Sequence, residues 1–165
     1  MGRPILINDP PQEPRKSAPD FMLGWSLLLV MGWLFFLVGI FNLVVLWIPL
    51  QIGVPEFEFA SVSGSLDSLP LPTMGLVFIL AASRASGYAK NAAFARAAAY
   101  VIVLLVLAAA VVFWLDVPLA LQATARARLA RLGIWKAIIK VTAHTLLYSV
   151  ALVTFARLGN KKSTA

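Results

Sequence analysis

Four polar side chains recur at every fourth position near the carboxyl end of the chain: Lys136, Lys140, His144 and Tyr148. On an α-helix, this spacing places them in one row that drifts slowly around the axis. Two ammonium groups in such a row favour contact with a small anion or with an anionic lipid headgroup. The alternative is that both lysines extend to the membrane interface while His144 hydrogen-bonds a neighbouring helix, for example at Asn42.

Three arginines precede this row, at Arg126, Arg128 and Arg131, among leucines and alanines. A basic and apolar composition over residues 117–132 predicts a short helix that lies in the headgroup layer. Together with the two lysines of the row, these arginines are the residues that we expect to contact anionic headgroups or another anion.

Groups that could perform catalysis or hold a metal are scarce. The chain has one histidine and no cysteine, which excludes multi-histidine zinc sites, bis-histidine haem and thiolate chemistry. The sequence contains no nucleotide-binding or nucleophile-elbow motif. We therefore predict no catalytic residue, no metal and no cofactor. The seven carboxylates are predicted to lie in tails, in loops or at an interface: Asp9, Glu13, Asp20, Glu56, Glu58, Asp67 and Asp116.

The elements that must position these residues are membrane helices. The 165 residues are 61% hydrophobic and 13% charged, whereas a soluble domain is about 25% charged. A spanning helix needs about 20 apolar residues. The sequence predicts an all-α bundle of four transmembrane helices within residues 21–157, with spans at about 21–50, 71–88, 97–115 and 135–156.

The second span is the weakest of the four. Pro70 and Pro72 precede it, which a helix start tolerates, and Arg84 can extend to the near interface. Residues 71–88 are then long enough to cross. A re-entrant or interfacial segment is the alternative.

The positive charges predict the orientation of the bundle. A Pro-rich flexible tail (residues 1–20), the loop near Arg84 and a basic tail (residues 158–165) carry lysine and arginine, whereas residues 51–70 carry none. Because positive residues mark the cytoplasmic side, both termini are predicted to be cytoplasmic. The Ala- and Arg-rich, cysteine-free composition favours a bacterial inner membrane.

Small residues form a stripe on the first span. Gly24, Gly32, Gly39 and Asn42 fall within about one quarter of the helix circumference. Small residues and interhelical hydrogen bonds are what hold membrane helices together. We expect this stripe and His144 to make helix contacts, either between the first and fourth spans or with an external partner.

Acidic and apolar residues alternate over residues 55–62, in the first loop. A period of two predicts a short half-buried strand, which would need a partner for its backbone. An interfacial loop with Phe57 and Phe59 dipping into lipid is the alternative. In either case Glu56, Glu58 and Asp67 would pair with the arginines of residues 126–131 across one surface.

These observations favour a non-catalytic accessory or assembly subunit of a larger membrane complex. Its predicted partners are anionic membrane lipids and other membrane subunits or further copies of itself, and nucleic acid is not among them. The alternative is a homo-oligomeric transporter or channel for an anion or lipid, with Asn42, Lys140 and His144 lining the path. A lipid-modifying enzyme is a weaker possibility, since the acid–base pair it would need is missing.

Overall fold

The described part of the chain folds as an assembly of five α-helices. A computed structural model describes residues 18–51, 53–124 and 128–158. Within those residues there is no strand, and the predicted all-α class is confirmed. The helices are α1 (Ala18–Leu46), α2 (Pro55–Ser68), α3 (Pro70–Ala85), α4 (Ala89–Ala123) and α5 (Arg128–Leu158).

Four helical segments are long and apolar enough to cross a membrane. They are Leu23–Leu46, Glu56–Ala85, Ala89–Ala123 and Arg128–Leu158. The second of these combines α2 and α3, so it begins well before the predicted start at residue 71. Four such segments make the chain a multi-pass helical membrane protein, whereas the orientation of its termini stays a prediction. Of the predicted tails (residues 1–20 and 158–165), residues 18–20 begin α1 and Leu158 ends α5, and the rest lie outside the described residues.

Helix α1 packs against α3 at unusually short range. A Cβ atom on Gly32 would lie 2.8 Å from the backbone nitrogen of Ile79, and one on Gly75 would lie 2.5 Å from that of Phe36. Gly39 faces Pro72 in the same way. Because only glycine permits this approach, the two backbones meet almost directly. The prediction that this stripe packs on the fourth span is therefore wrong, because Gly32 and Gly39 face α3.

Helix α2 replaces the predicted strand or loop. Its N-terminus carries Pro55 at the first turn, with Glu56 and Glu58 beside it, and both residue types are favourable at that end. At its C-terminus, Leu69 keeps right-handed helical dihedrals (φ −59°, ψ −31°), and Pro70 starts α3 immediately. Proline lacks the N–H that would continue the hydrogen-bond ladder, so α2 ends and α3 begins here although the backbone keeps helical dihedrals.

The core lies where α2, α3, α4 and α5 meet. Phe113 of α4 is completely buried, and its ring centroid lies 4.3 Å from that of Phe59. Val141 of α5 is also completely buried. Of the four apolar segments, the one formed by α2 and α3 is the most buried, at 44%, against 17% for each of the segments in α1 and α5. The bundle is thus built around α2 and α3, with α1 and α5 on its flanks.

The two ends of the bundle are called the Arg84 end and the Glu58 end, after a residue at each. At the Arg84 end, α3 ends and α4 begins, and Arg84 Nη2 donates to the carbonyl oxygen of Leu158 at 2.8 Å. At the opposite, Glu58 end, α2 begins, α4 ends and α5 begins. The described part of the predicted interfacial segment forms no helix of its own: residues 117–123 extend α4 and residues 128–132 start α5. Its position relative to the headgroup layer stays a prediction.

Candidate functional site: polar contacts among the helices

An ion pair joins α5 to α2. Lys140 Nζ lies 2.6 Å from Asp67 Oδ2 and 3.3 Å from the Oγ atom of Ser63. Ser63 and Asp67 are four residues apart on α2, so the helix presents both on one face. The lysine side chain is 37% exposed and the aspartate side chain 54% exposed. Both charges belong to segments that are apolar enough to cross a membrane. A charge within such a segment is costly when it has no partner, and the ion pair gives each of these two charges an opposite charge on the neighbouring helix.

His144 lies one turn beyond Lys140 and has a local partner. Its Nδ1 atom is 2.8 Å from the carbonyl oxygen of Lys140. A carbonyl oxygen only accepts, so Nδ1 donates in this contact. The His144 and Tyr148 rings are also neighbours, with centroids 6.1 Å apart. The predicted hydrogen bond to Asn42 is not formed, because Asn42 is exposed on α1, which packs against α3.

The remaining basic residues stay separate from the ion pair. Arg128, Arg131 and Lys136 are exposed on the first turns of α5. Within the described residues, none of the three lies within ion-pair distance of a carboxylate, so the predicted pairing with the acids of residues 56–67 is not seen for them. Arg126 lies outside the described residues.

A carboxyl pair lies at the Glu58 end. The side chains of Glu58, near the start of α2, and Asp116, near the end of α4, are neighbours. Glu58 is 6% exposed, and its Oε1 accepts from the backbone N–H of Gly53 at 2.6 Å. The prediction that Glu56, Glu58 and Asp67 lie in a loop is wrong, because all three lie on α2.

Two further hydrogen bonds fix the end of α1 to α2. The indole Nε1 of Trp47 donates to Ser65 Oγ at 3.0 Å. One turn away, Ser61 Oγ donates to the backbone carbonyl of Leu46 at 3.1 Å, and it thereby satisfies a group that the end of a helix leaves open. The serines of α2 thus act as side-chain partners for neighbouring helices.

A large apolar cavity lies between α1, α2 and α4. Its volume is about 670 Å³. Leu43 of α1 and Trp47, just after α1, line one side, and Val62 lines it from α2. On α4, the lining includes Val106 and Ala109. The cavity lies directly beside the hydrogen bond between Trp47 and Ser65.

The remaining residues of the predicted glycine stripe point away from the bundle. A Cβ atom on Gly24 would meet nothing within 4 Å. Asn42 is exposed near the end of α1, and its amide has no hydrogen-bond partner within the described residues. Gly24 and Asn42 are separated by five helical turns, so they lie on the same face of α1.

The described residues contain no candidate metal site. Among them, no group of three or more histidine, aspartate or glutamate side chains is arranged to hold a metal ion. Four buried hydroxyl groups have no hydrogen-bond partner among the described residues: Ser83, Thr142, Thr145 and Ser149. Three of these residues lie on α5, and Ser83 lies on α3.

The carboxyl pair and the partners of Lys140 are the features that the sequence did not indicate. The sequence predicts a loop at Ser63 and Asp67, and their spacing of four residues is the one sequence signal that they share a helix face. The chain matches no known protein family, no curated protein and no solved structure.

Proposed function

We propose that the protein is a non-catalytic accessory or assembly subunit of a larger membrane complex, located in a bacterial inner membrane with both termini in the cytoplasm. The observation that carries this proposal is the amide of Asn42. It lies within the apolar segment Leu23–Leu46, it is exposed, and no described residue hydrogen-bonds it. A polar group facing hydrocarbon is costly unless a neighbouring helix provides a partner.

The surroundings of Asn42 fit a helix-binding face. Only 17% of the apolar segment in α1 is buried inside the protein. Gly24 lies on the same face and offers open space for close approach. Val38, which is 43% exposed, lies one turn from Asn42 and supplies apolar contact area. An amide between small and apolar residues is the composition that membrane helices use to associate.

Site-specific photocrosslinking tests this role. A photoreactive amino acid at Val38 should give a discrete protein adduct in native membranes, and Asn42→Leu should weaken that adduct. The control position is Leu147, which is 64% exposed on α5, where we expect reaction with lipid only. If Val38 reacts only with lipid, as Leu147 does, the accessory role is wrong.

The alternative is a homo-oligomeric transporter or channel for an anion or lipid. The ion pair between Lys140 and Asp67 favours it, because charges within candidate membrane segments often mark a transport path. In this case the adduct at Val38 would have the mass of a dimer, and purified protein in vesicles would pass an anion or move a lipid. Flux that persists in Lys140→Ala and His144→Ala variants would remove those residues from the path.

A further inference from the structure

The cavity between α1, α2 and α4 has the size and lining of a site for an apolar chain. Its volume of about 670 Å³ lies within the range of about 300–1,000 Å³ that is typical of sites for small organic ligands. Its walls are almost wholly aliphatic or aromatic. The principal contributors are Leu43, Trp47, Val62, Leu66, Val106 and Ala109.

Water is a poor occupant of this cavity. A buried water molecule needs two to four polar partners. The polar side chains that line the cavity are those of Ser65 and Trp47, and these two are already bonded to each other at 3.0 Å. A hydrocarbon chain has no such requirement, and it gains contact with the whole apolar wall.

The carboxyl pair lies one helical turn beyond this cavity, toward the Glu58 end, and does not belong to its lining. Val62 lines it from α2, and Glu58 lies one helical turn further out on the same face. On α4, Val112 lines the cavity, and Asp116 lies one turn further out on the same face. An apolar cavity with two acids one helical turn beyond one end is the pattern that an amphiphilic ligand would match, with its chain in the cavity and its head group outside.

The carboxylate oxygens of Glu58 and Asp116 could accept further hydrogen bonds. Glu58 Oε1 already accepts from Gly53. No N–H donor within the described residues reaches Asp116 Oδ2, which is fully buried. A head group that carries both a positive charge and N–H donors would complement the two acids, because charge-assisted hydrogen bonds to carboxylates are strong.

We infer that this cavity binds the acyl chain of a lipid whose primary ammonium head group is held by Glu58 and Asp116. An anionic head would be repelled by the two acids. A quaternary ammonium head would supply charge but no N–H donor. Among phospholipids, the chemistry of the site therefore selects an aminophospholipid.

Lipid retention by the purified full-length protein tests this inference. Native mass spectrometry in mild detergent is carried out with phosphatidylethanolamine, phosphatidylglycerol and phosphatidylcholine that carry identical acyl chains. We expect phosphatidylethanolamine to bind about tenfold more tightly than either of the others, a factor that one hydrogen bond to a charged group accounts for.

Two variants test separately how the head group and the acyl chain of the lipid contribute to binding. Glu58→Gln combined with Asp116→Asn removes the charges at nearly constant shape, and it should abolish the preference while all three lipids still bind. Ala109→Phe fills the cavity and should reduce binding of all three lipids. The matched control is Ala151→Phe on the exposed side of α5, which should leave binding unchanged.

Two outcomes would overturn the inference. Equal retention of the three lipids by the unmodified protein would show that no head group is selected, and this comparison needs no variant to fold. Equal lipid binding by Ala109→Phe and Ala151→Phe would show that the chain does not occupy this cavity.

Discussion

The Nζ atom of Lys140 lies 2.6 Å from Oδ2 of Asp67, and this contact ties the last helix of the chain to α2. Neither partner has another oppositely charged neighbour in the described structure. The pair therefore sets how α5 sits against α2, alongside the hydrogen bond from Lys140 to Ser63.

A double-mutant cycle should detect this ion pair. With Lys140→Met, Asp67→Asn and the double variant, we expect a coupling of about 0.2–1 kcal/mol in the free energy of unfolding in detergent, because both side chains are partly exposed. Lys136→Met, at an exposed lysine with no carboxylate within ion-pair distance in the described residues, is the matched control and should show no coupling to Asp67→Asn. Strict additivity of the Lys140 and Asp67 effects would contradict the pair.

The contact between α1 and α3 should be intolerant of a single methyl group. Gly39→Ala places a Cβ against Pro72, and overpacking of this kind costs about 1–3 kcal/mol. Gly24→Ala meets open space and should leave stability unchanged or raise it by up to about 1 kcal/mol, since alanine is the better helix former. Thermal unfolding followed by tryptophan fluorescence measures both. Equal effects of the two substitutions would show that α1 does not pack on α3 through Gly39.

The Arg84 end should loosen when its cross-helix hydrogen bond is removed. Arg84→Ala leaves the carbonyl of Leu158 without its partner, at a cost of about 1 kcal/mol or less for an exposed bond. Amide hydrogen exchange should therefore quicken in the last turn of α5 and remain unchanged in α2. Lys90→Ala, an exposed lysine at the same end, serves as the control. Unaltered exchange at residues 155–158 in Arg84→Ala would count against the bond.

The predicted orientation can be read from single cysteines, because the native chain has none. Gln51→Cys, at the Glu58 end, should react with a membrane-impermeant maleimide in intact cells. Ser86→Cys, in the turn at the Arg84 end, should react only after the cells are opened. Both positions are exposed in the protein, so burial does not bias the comparison. The reverse labelling pattern would place the termini outside.

The apolar runs predicted the helices of the bundle well, but the same reasoning failed for α2. Hydrophobic periodicity identifies a helix with one buried face, whereas α2 contacts α1, α4 and α5 on different sides. Phe57 meets Trp47, the residue directly after α1, while Phe59 meets Phe113 of α4, so both rings are packed although they point in different directions. An alternation of acidic and aromatic residues then resembles a strand by coincidence.

The partners of the candidate site were beyond the reach of the sequence for a similar reason. The glycine stripe indicated that α1 makes close contacts, but its spacing contains nothing about which helix it meets. Likewise, Asp116 resembles an interfacial acid at the end of an apolar run, and its partner Glu58 is 58 residues away. Pairings between helices depend on how the bundle assembles, and a single sequence does not encode them in any local pattern.

The short-range packing of Gly32 and Gly39 against α3 has a consequence for biosynthesis. Both sides of this contact lie within the first 85 residues, so the hairpin of α1 and α3 can close while the rest of the chain is still being translated. Domains and hairpins that form early during synthesis bury surfaces that would otherwise be free to associate wrongly. Helices α4 and α5, which are synthesised later, then pack against a hairpin that has already formed.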